Sequence, residues 1–329
     1  MKIIKAPIIH FTKRPDNYQP NPITESRQEF SEIEKKIVVN VINQLGNVAK
    51  TWNGHNIHFV IPFTELTETN HAKVKKAAQS ILTKRITLID KASSSSDETY
   101  YHLIVPFTEV LLRKINKKDF LEVVMNSSVV PFFIELGKHF TKYSIDIMLS
   151  LGSIYAQRMY EIIMLHIGRK QRKFNYSVNK LKFMFNCPDS YTFNEIRRWA
   201  LDSSQKELRE KAGIIFTYKP SKKEGKRIVE LLFEVKSELE LALEAITTEA
   251  ETFKQATPMQ QKDYIMRLLN EYSFTRQQQA EIMADPEKWS LFLKIDSEIY
   301  NGLRKDVDNP TAYIAKSLGF SEKGRKKTR

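Results

Sequence analysis

Thr192-Phe193-Asn194-Glu195-Ile196-Arg197-Arg198-Trp199-Ala200-Leu201-Asp202 runs on through Lys206-Glu207-Leu208, and a lysine-rich stretch follows, Lys219-Pro220-Ser221-Lys222-Lys223-Glu224-Gly225-Lys226-Arg227. Apolar positions at helical spacing predict one helix over 192–211. Alternating apolar residues on either side of the lysine-rich stretch predict a hairpin, with strands over 214–218 and 228–235. Working outward, Cys187-Pro188-Asp189-Ser190 reads as a turn, 178–185 as a shorter helix and Phe174-Asn175-Tyr176-Ser177 as a short strand. Residues 154–167 form a first helix, with Ile154, Met159, Ile162, Ile163 and Leu165 turned inward.

Helix, short strand, helix, longer helix and basic hairpin is the order of a winged helix, a module that lays its last helix in the major groove of DNA. Phased at 3.6 residues per turn, Phe193, Ile196, Ala200, Leu201 and Leu208 share the packed side. Glu195, Arg198 and Asp202 then point away, Asn194 and Gln205 flank them, and Arg197 falls nearer the packed edge. Tyr191 and Thr192 open the helix. On that phase Arg198 suits the two-pronged contact to guanine, Asn194 a pair with adenine, and Glu195 acceptance from cytosine. Lys222, Lys223, Lys226 and Arg227 on the hairpin suit phosphate contact, because lysines on a flexible tip neutralise charge without fixing geometry.

The same order is repeated earlier. Residues 7–27 hold four of the twelve prolines and read as an extended arm. A helix starts at Ser31 and ends at Gly46, a strand covers 56–62, a short helix 63–68 and a longer helix 70–85. Strands over 86–90 and 100–106 flank a serine tract at 91–98, the expected mobile tip of a hairpin. On the 70–85 helix, Val74, Ala77, Ala78, Ile81 and Leu82 face inward, while Lys73, Lys75 and Lys76 are candidate DNA contacts on the open face. The fold class expected is therefore α+β: an arm over 1–29, winged helices over 30–145 and 146–238, and a helical extension over 239–329.

Charge is unevenly spread. The chain carries 52 basic and 39 acidic side chains, a net +13. Five positive charges lie in the last seven residues, so the body of the final third is acidic and a polyanion would meet the first two thirds. The basic tail reads as disordered. One cysteine, Cys187, excludes an internal disulfide and a multi-cysteine zinc site. No apolar run is long enough to cross a membrane, and the N-terminus lacks signal-peptide anatomy, which points to a soluble cytoplasmic protein.

Catalytic signatures are missing. No glycine-rich phosphate loop ending in Gly-Lys occurs, and nothing requires a cofactor or metal. His55 and His58 are spaced so that a strand would turn them to opposite faces, unlike the metal-binding histidine pair of a nicking enzyme. Tyr155 and Tyr160 lie in an amphipathic core helix, where packing is their role. The expectation is a binding protein, not an enzyme.

Over residues 30–236 the chain resembles the iteron-binding initiator replication proteins of theta-replicating plasmids. The resemblance rests on Phe140-Thr141-x-Tyr143, on Ser153-x-Tyr155-x-x-Arg158-x-Tyr160-Glu161, and on Arg198-Trp199-x-Leu201-Asp202-x-x-x-Lys206-Glu207-Leu208. Asn309-Pro310-x-Ala312-Tyr313-Ile314 is similar to a segment near the end of many members. Ser203 stands where the family often has proline. The resemblance implies tandem winged helices on directly repeated origin sequences, one module per major groove. It further implies monomers that open the origin and recruit the host initiator and replicative helicase. It also implies homodimers, joined through the first domain, that repress the protein's own gene. The alternative is a winged-helix transcriptional repressor without replication activity.

Overall fold

Ser31 starts the first long helix because its hydroxyl accepts the Glu34 N–H while the Glu34 carboxylate takes the Ser31 N–H in return. The computed structural model describes residues 8–67, 70–90, 94, 99–136, 140–304 and 306–320. The chain divides into two units, Met1–Val235 and Lys236–Arg329.

In the first unit, strands β1 (Ile8–Ile9) and β2 (Asp16–Pro20) lead into a one-turn helix α1 (Asn21–Thr24) and strand β3 (Arg27–Gln28). Helix α2 (Glu32–Val48) follows, then β4 (Ile57–Pro62), a 3-10 turn over Phe63–Glu65, and α3 (His71–Ser80), capped by Asn70. Strands β5 (Ile86–Asp90) and β6 (Tyr100–Ile104) pair antiparallel. The serine tip between them lies almost wholly outside the described residues, as do the end of the expected 63–68 helix and the basic tail.

Two features of this half depart from the sequence expectation. Strands β7 (Phe107–Ile115) and β8 (Lys118–Met125) form a second hairpin that periodicity missed. It joins the sheet β1-β4-β8-β7, with Ile57 opposite Met125 and Pro62 opposite Phe120. Its turn is Asn116-Lys117, both at positive φ, a two-residue turn without the glycine that normally announces it. Second, the expected arm over 7–27 is, from residue 8 on, no free arm. β2 pairs along its whole length with β9 (Phe140–Ser144), and Asn17, Gln19, Asn21, Thr24 and Ser26 are buried. Arg14 lies across α2: a Cβ on Gly46 would sit 1.8 Å from its guanidinium, and its Nε donates to the Asn43 carbonyl at 2.9 Å. Gly46 is therefore inside the helix it was expected to end, admitting a crossing side chain.

After α4 (Pro131–Ile134) and α5 (Ile145–Ser150), the second winged helix has α6 (Ile154–Gly168), β10 (Lys173–Ser177), α7 (Val178–Met184), and a composite third helix. That third helix consists of α8 (Phe193–Ile196), a π-helical turn over Arg197–Asp202, and α9 (Ser203–Ala212), which Gly213 ends in left-handed conformation. Strands β11 (Ile214–Glu224) and β12 (Arg227–Ser237) complete a sheet of order β10-β12-β11. Among the described residues no sheet spans both modules. Each half has its own apolar core, around Ile37, Phe59 and Leu121 in the first and Met159, Leu201 and Phe233 in the second.

The modules meet through a polar seam. Arg158 on α6 donates through Nη2 to the carbonyls of Thr24 and Ser26, both at 2.8 Å, and ion-pairs with Glu161. Glu161 also binds Lys35 of α2 at 2.6 Å, with both side chains fully buried. Lys35 donates in turn to Gln28 at 2.8 Å. Burial pulls the Lys35 ammonium down to about 8, although Glu161 opposes this. Beside the triad, the Thr141 hydroxyl donates to Asn21 and accepts from Thr24, while Asn17 bonds Tyr143 and the Val39 carbonyl. Tyr160 accepts the Ser144 N–H. Among the motif positions read from 140–161, Arg158, Tyr160 and Glu161 thus tie the second module to the first, while Thr141 and Tyr143 fasten the segment over 17–24.

The second unit is helical: α10 (Glu238–Gln255), α11 (Pro258–Leu269), α12 (Arg276–Ala284), α13 (Pro286–Tyr300) and α14 (Pro310–Ser317). Ser237, Thr257, Thr275, Asp285 and Asn309 each cap one start, and proline follows the cap in three. Ile265, Phe292 and Ile314 lie in its separate core.

Candidate nucleic-acid interface

The composite helix owes its position to residues at both ends. The Glu195 carboxylate accepts the Thr192 N–H, so the group expected to read cytosine serves as the helix's N-terminal clasp. That contact holds its pKa below the ordinary carboxylate value. At the far end, Leu208 is buried, and Glu207 takes the Gly152 N–H and pairs with Lys211. Gln205 donates to the Phe216 carbonyl at 2.7 Å, fastening the helix to β11.

Between these anchors the π turn resets the phase. Ile196 is buried, then Arg197, Arg198 and Trp199 are exposed in succession, Ala200 and Leu201 are buried, and Asp202 and Ser203 are exposed. Arg197 is therefore on the open arc, not at the packed edge. The 3.6-residue phase fails because a π turn advances fewer degrees per residue than an α-helix. Hydrogen bonds from side chains support the wide turn: the Ser203 hydroxyl donates to the Trp199 carbonyl, and Ser204 to that of Ala200.

The two arginines differ in their surroundings. Arg197 lies 4.0 Å from Asp202, whose carboxylate also receives the Tyr218 hydroxyl from β11. Burial, with Asp202 adding to it, pushes the Tyr218 pKa up. Arg198 has no carboxylate partner among the described residues; its guanidinium lies over the Trp199 ring, 4.9 Å from the centroid. Trp199, which the sequence reading left without a role, is half exposed. Asn194 and Thr192 are exposed beside this arc, whereas Tyr191 is half-buried against the module's core.

The wing is longer and more regular than a flexible tip. Its strands run out to Glu224 and back from Arg227, leaving only Gly225-Lys226 as the turn, with Gly225 at φ 58°. Alternation along β11 puts Lys222 on the side of Phe216 and Tyr218, the side that reaches the third helix through Asp202. Lys223 falls on the opposite side with Ser221, which bonds Glu230 at 2.8 Å. The two lysines expected to act as a pair therefore face apart. Lys226 and Arg227 are exposed at the turn.

In the first module Lys73, Lys75 and Lys76 are all exposed on α3, opposite buried Val74, Ala77 and Ala78. None is ion-paired among the described residues, so the helix presents three open cations. His58 bonds Glu122 at 2.7 Å, and Glu122 also ion-pairs with Arg113. Among the described residues no group of three or more His, Cys, Asp or Glu side chains is arranged to hold a metal ion. No helix is long and apolar enough to cross a membrane, again among those residues.

Two winged helices, each with an exposed basic helix and joined through a buried polar seam, define a tandem winged-helix protein. Residues 17–164 match the family model described as the initiator replication protein's first winged-helix domain, and residues 177–235 match its second. Together these cover more than half of the chain, which belongs to the initiator replication protein family. A replication initiation protein of Escherichia coli is 25% identical over 203 residues, 59% of this chain and 52% of that protein. The chain spans about half the length of that curated relative. A solved structure of the Pi initiator protein in complex with iteron DNA superposes with a TM-score of 0.51 at 18% identity, covering 69% of this chain and 98% of that one.

Proposed function

We propose that this protein is a plasmid replication initiator that binds directly repeated origin DNA as a double-stranded ligand and performs no bond chemistry of its own. The observation that carries this reading is the third helix of the second module. Its N-terminal half exposes Arg197, Arg198 and Asn194 while both of its ends are anchored. A rigidly held helix start with an unpaired guanidinium has the form required for reading base edges, and the wing and α3 lysines supply phosphate contacts. The Pi initiator's capture with iteron DNA supports the same use of the shared fold.

On this reading monomers open the origin and recruit the host initiator and the replicative helicase in the cytoplasm. A homodimer represses the protein's own gene. Tyr101 and Leu103, half exposed on edge strand β6, support pairing through the first module.

The test is footprinting on DNA flanking the protein's own gene, followed by salt titration on the protected repeat and on random DNA. With six to ten phosphates contacted, affinity should fall on the order of 10³–10⁵-fold between about 50 and 200 mM salt. Equal affinity for both DNAs overturns the reading. Loss of origin-dependent plasmid maintenance when the gene is deleted separates an initiator from a repressor.

A further inference from the structure

We propose that Trp199 is a positioning residue for base reading: its indole holds the Arg198 guanidinium in the orientation that the major groove requires. This inference rests on the DNA-binding reading above and adds a second residue to its specificity.

Adjacent residues on an α-helix do not face each other. Arg198 and Trp199 do, at 4.9 Å from guanidinium to ring centroid, and they do so inside the π turn over Arg197–Asp202. The narrower angular step of that turn brings neighbouring side chains onto one arc. The turn itself is held by the Ser203 and Ser204 hydroxyls, so the stack is built into the backbone.

A half-exposed tryptophan on a helix whose other large apolar side chains pack inward contributes little to the core. As a platform it acts on Arg198, which has no carboxylate partner among the described residues. Arg197 instead has the Asp202 carboxylate 4.0 Å away. Stacking on an aromatic face leaves the edge donors of a guanidinium free, and those donors make the bidentate contact to guanine.

The experiment is a double-mutant cycle on the full chain, with binding measured on the protected repeat and on random DNA at one salt concentration. Trp199→Ala should weaken binding to the repeat about 3- to 30-fold and barely change binding to random DNA. Trp199→Phe should recover most of the loss, since a phenyl face still carries the guanidinium. In an Arg198→Ala background the further change Trp199→Ala should cost nothing. Additive losses, or a loss shared by both DNAs, would overturn positioning in favour of direct contact with the backbone. Should Trp199→Ala prove misfolded by its unfolding midpoint, the cycle is run with Trp199→Leu, which keeps bulk and removes the ring. Wild-type protein that shows no preference for the repeat defeats the DNA-reading proposal itself, an outcome distinct from additivity.

Discussion

The seam between the modules and the open arc of the third helix use the same residue types in opposite ways. In the seam Arg158, Glu161 and Lys35 are fully buried; Glu161 ion-pairs with both cations, and each cation makes further hydrogen bonds. On the arc, Arg198 faces solvent with an aromatic platform and, among the described residues, no counter-charge. Removing two charges from water is expensive unless geometry repays it, so seam residues are locked into single roles. An exposed guanidinium costs little to leave unpaired and is available to a ligand. The difference teaches that the recognisable motif residues over 140–161 are mostly the hinge-pins of the architecture. The residues proposed to read DNA lie on a surface with far weaker internal constraints.

Breaking the seam should give the largest effect. Glu161→Leu strands Lys35 and Arg158 as buried cations without their anion, and should cost about 3–5 kcal/mol of stability. Replacing all three by apolar side chains, with Lys35→Met and Arg158→Met added, should recover much of that loss. Denaturant unfolding of the full chain measures both variants. A Glu161→Leu loss within about 1 kcal/mol would show that the seam is open to water and the contrast with the arc false.

The next effect belongs to the arc. Arg198→Ala should cost about 1–3 kcal/mol on the cognate repeat and much less on random DNA, with unfolding unchanged. Arg197→Ala should cost less on the repeat, because the Asp202 carboxylate 4.0 Å away competes with DNA for its guanidinium. A reversed order would make Asp202 a guide that releases Arg197 to DNA.

A smaller effect separates the two sides of the wing. Lys222 shares its side with Tyr218, which bonds the third helix, and Lys223 shares its side with Ser221 and Glu230. Lys222→Ala should lower the salt slope by about one unit, and Lys223→Ala by much less. Equal reductions would mean that the ribbon twists enough at its end to present both.

How much of this was legible depended on whether a signal was local. Helices with one apolar stripe, such as α2 and α6, follow directly from spacing, and the last third read as helical without its separate helix starts. β8 did not, because Leu121, Val123 and Met125 are buried and so are Glu122 and Val124 between them, erasing alternation. β2 was hidden for another reason. Its buried residues include Asn17 and Gln19, whose partners Val39, Tyr143 and Thr24 become neighbours only after folding. In the site, lysine and arginine positions on α3 and the wing were readable as exposed. The π turn was not, since periodicity presumes a constant angular step, and with it went the placement of Arg197 and the role of Trp199. An apolar tryptophan outside the predicted packed stripe was the available clue.

The smallest effect tests the buried side of the comparison at a group that is neutral there. His166 of α6 stacks on Phe174 with ring centroids 3.7 Å apart and lies between Gln171 and Tyr176, each at 2.9 Å. The Gln171 carbonyl only accepts, so Nδ1 carries the proton and Nε2 accepts from the Tyr176 hydroxyl. Burial lowers the His166 pKa below its ordinary 6.5, with Gln171 opposing and Arg169 adding to the fall. The unfolded chain therefore binds a proton that the folded chain refuses, and stability declines as pH falls from about 6.5 toward the folded value. Above 6.5 both states are neutral and the contribution is complete. The wild type should lose more stability than His166→Gln between pH 7 and pH 5. Taking the difference between the two slopes cancels the other histidines and the carboxylates. Parallel slopes would show that His166 accepts its proton in place, and that burial in this module does not exclude charge as it does outside the ion-paired seam.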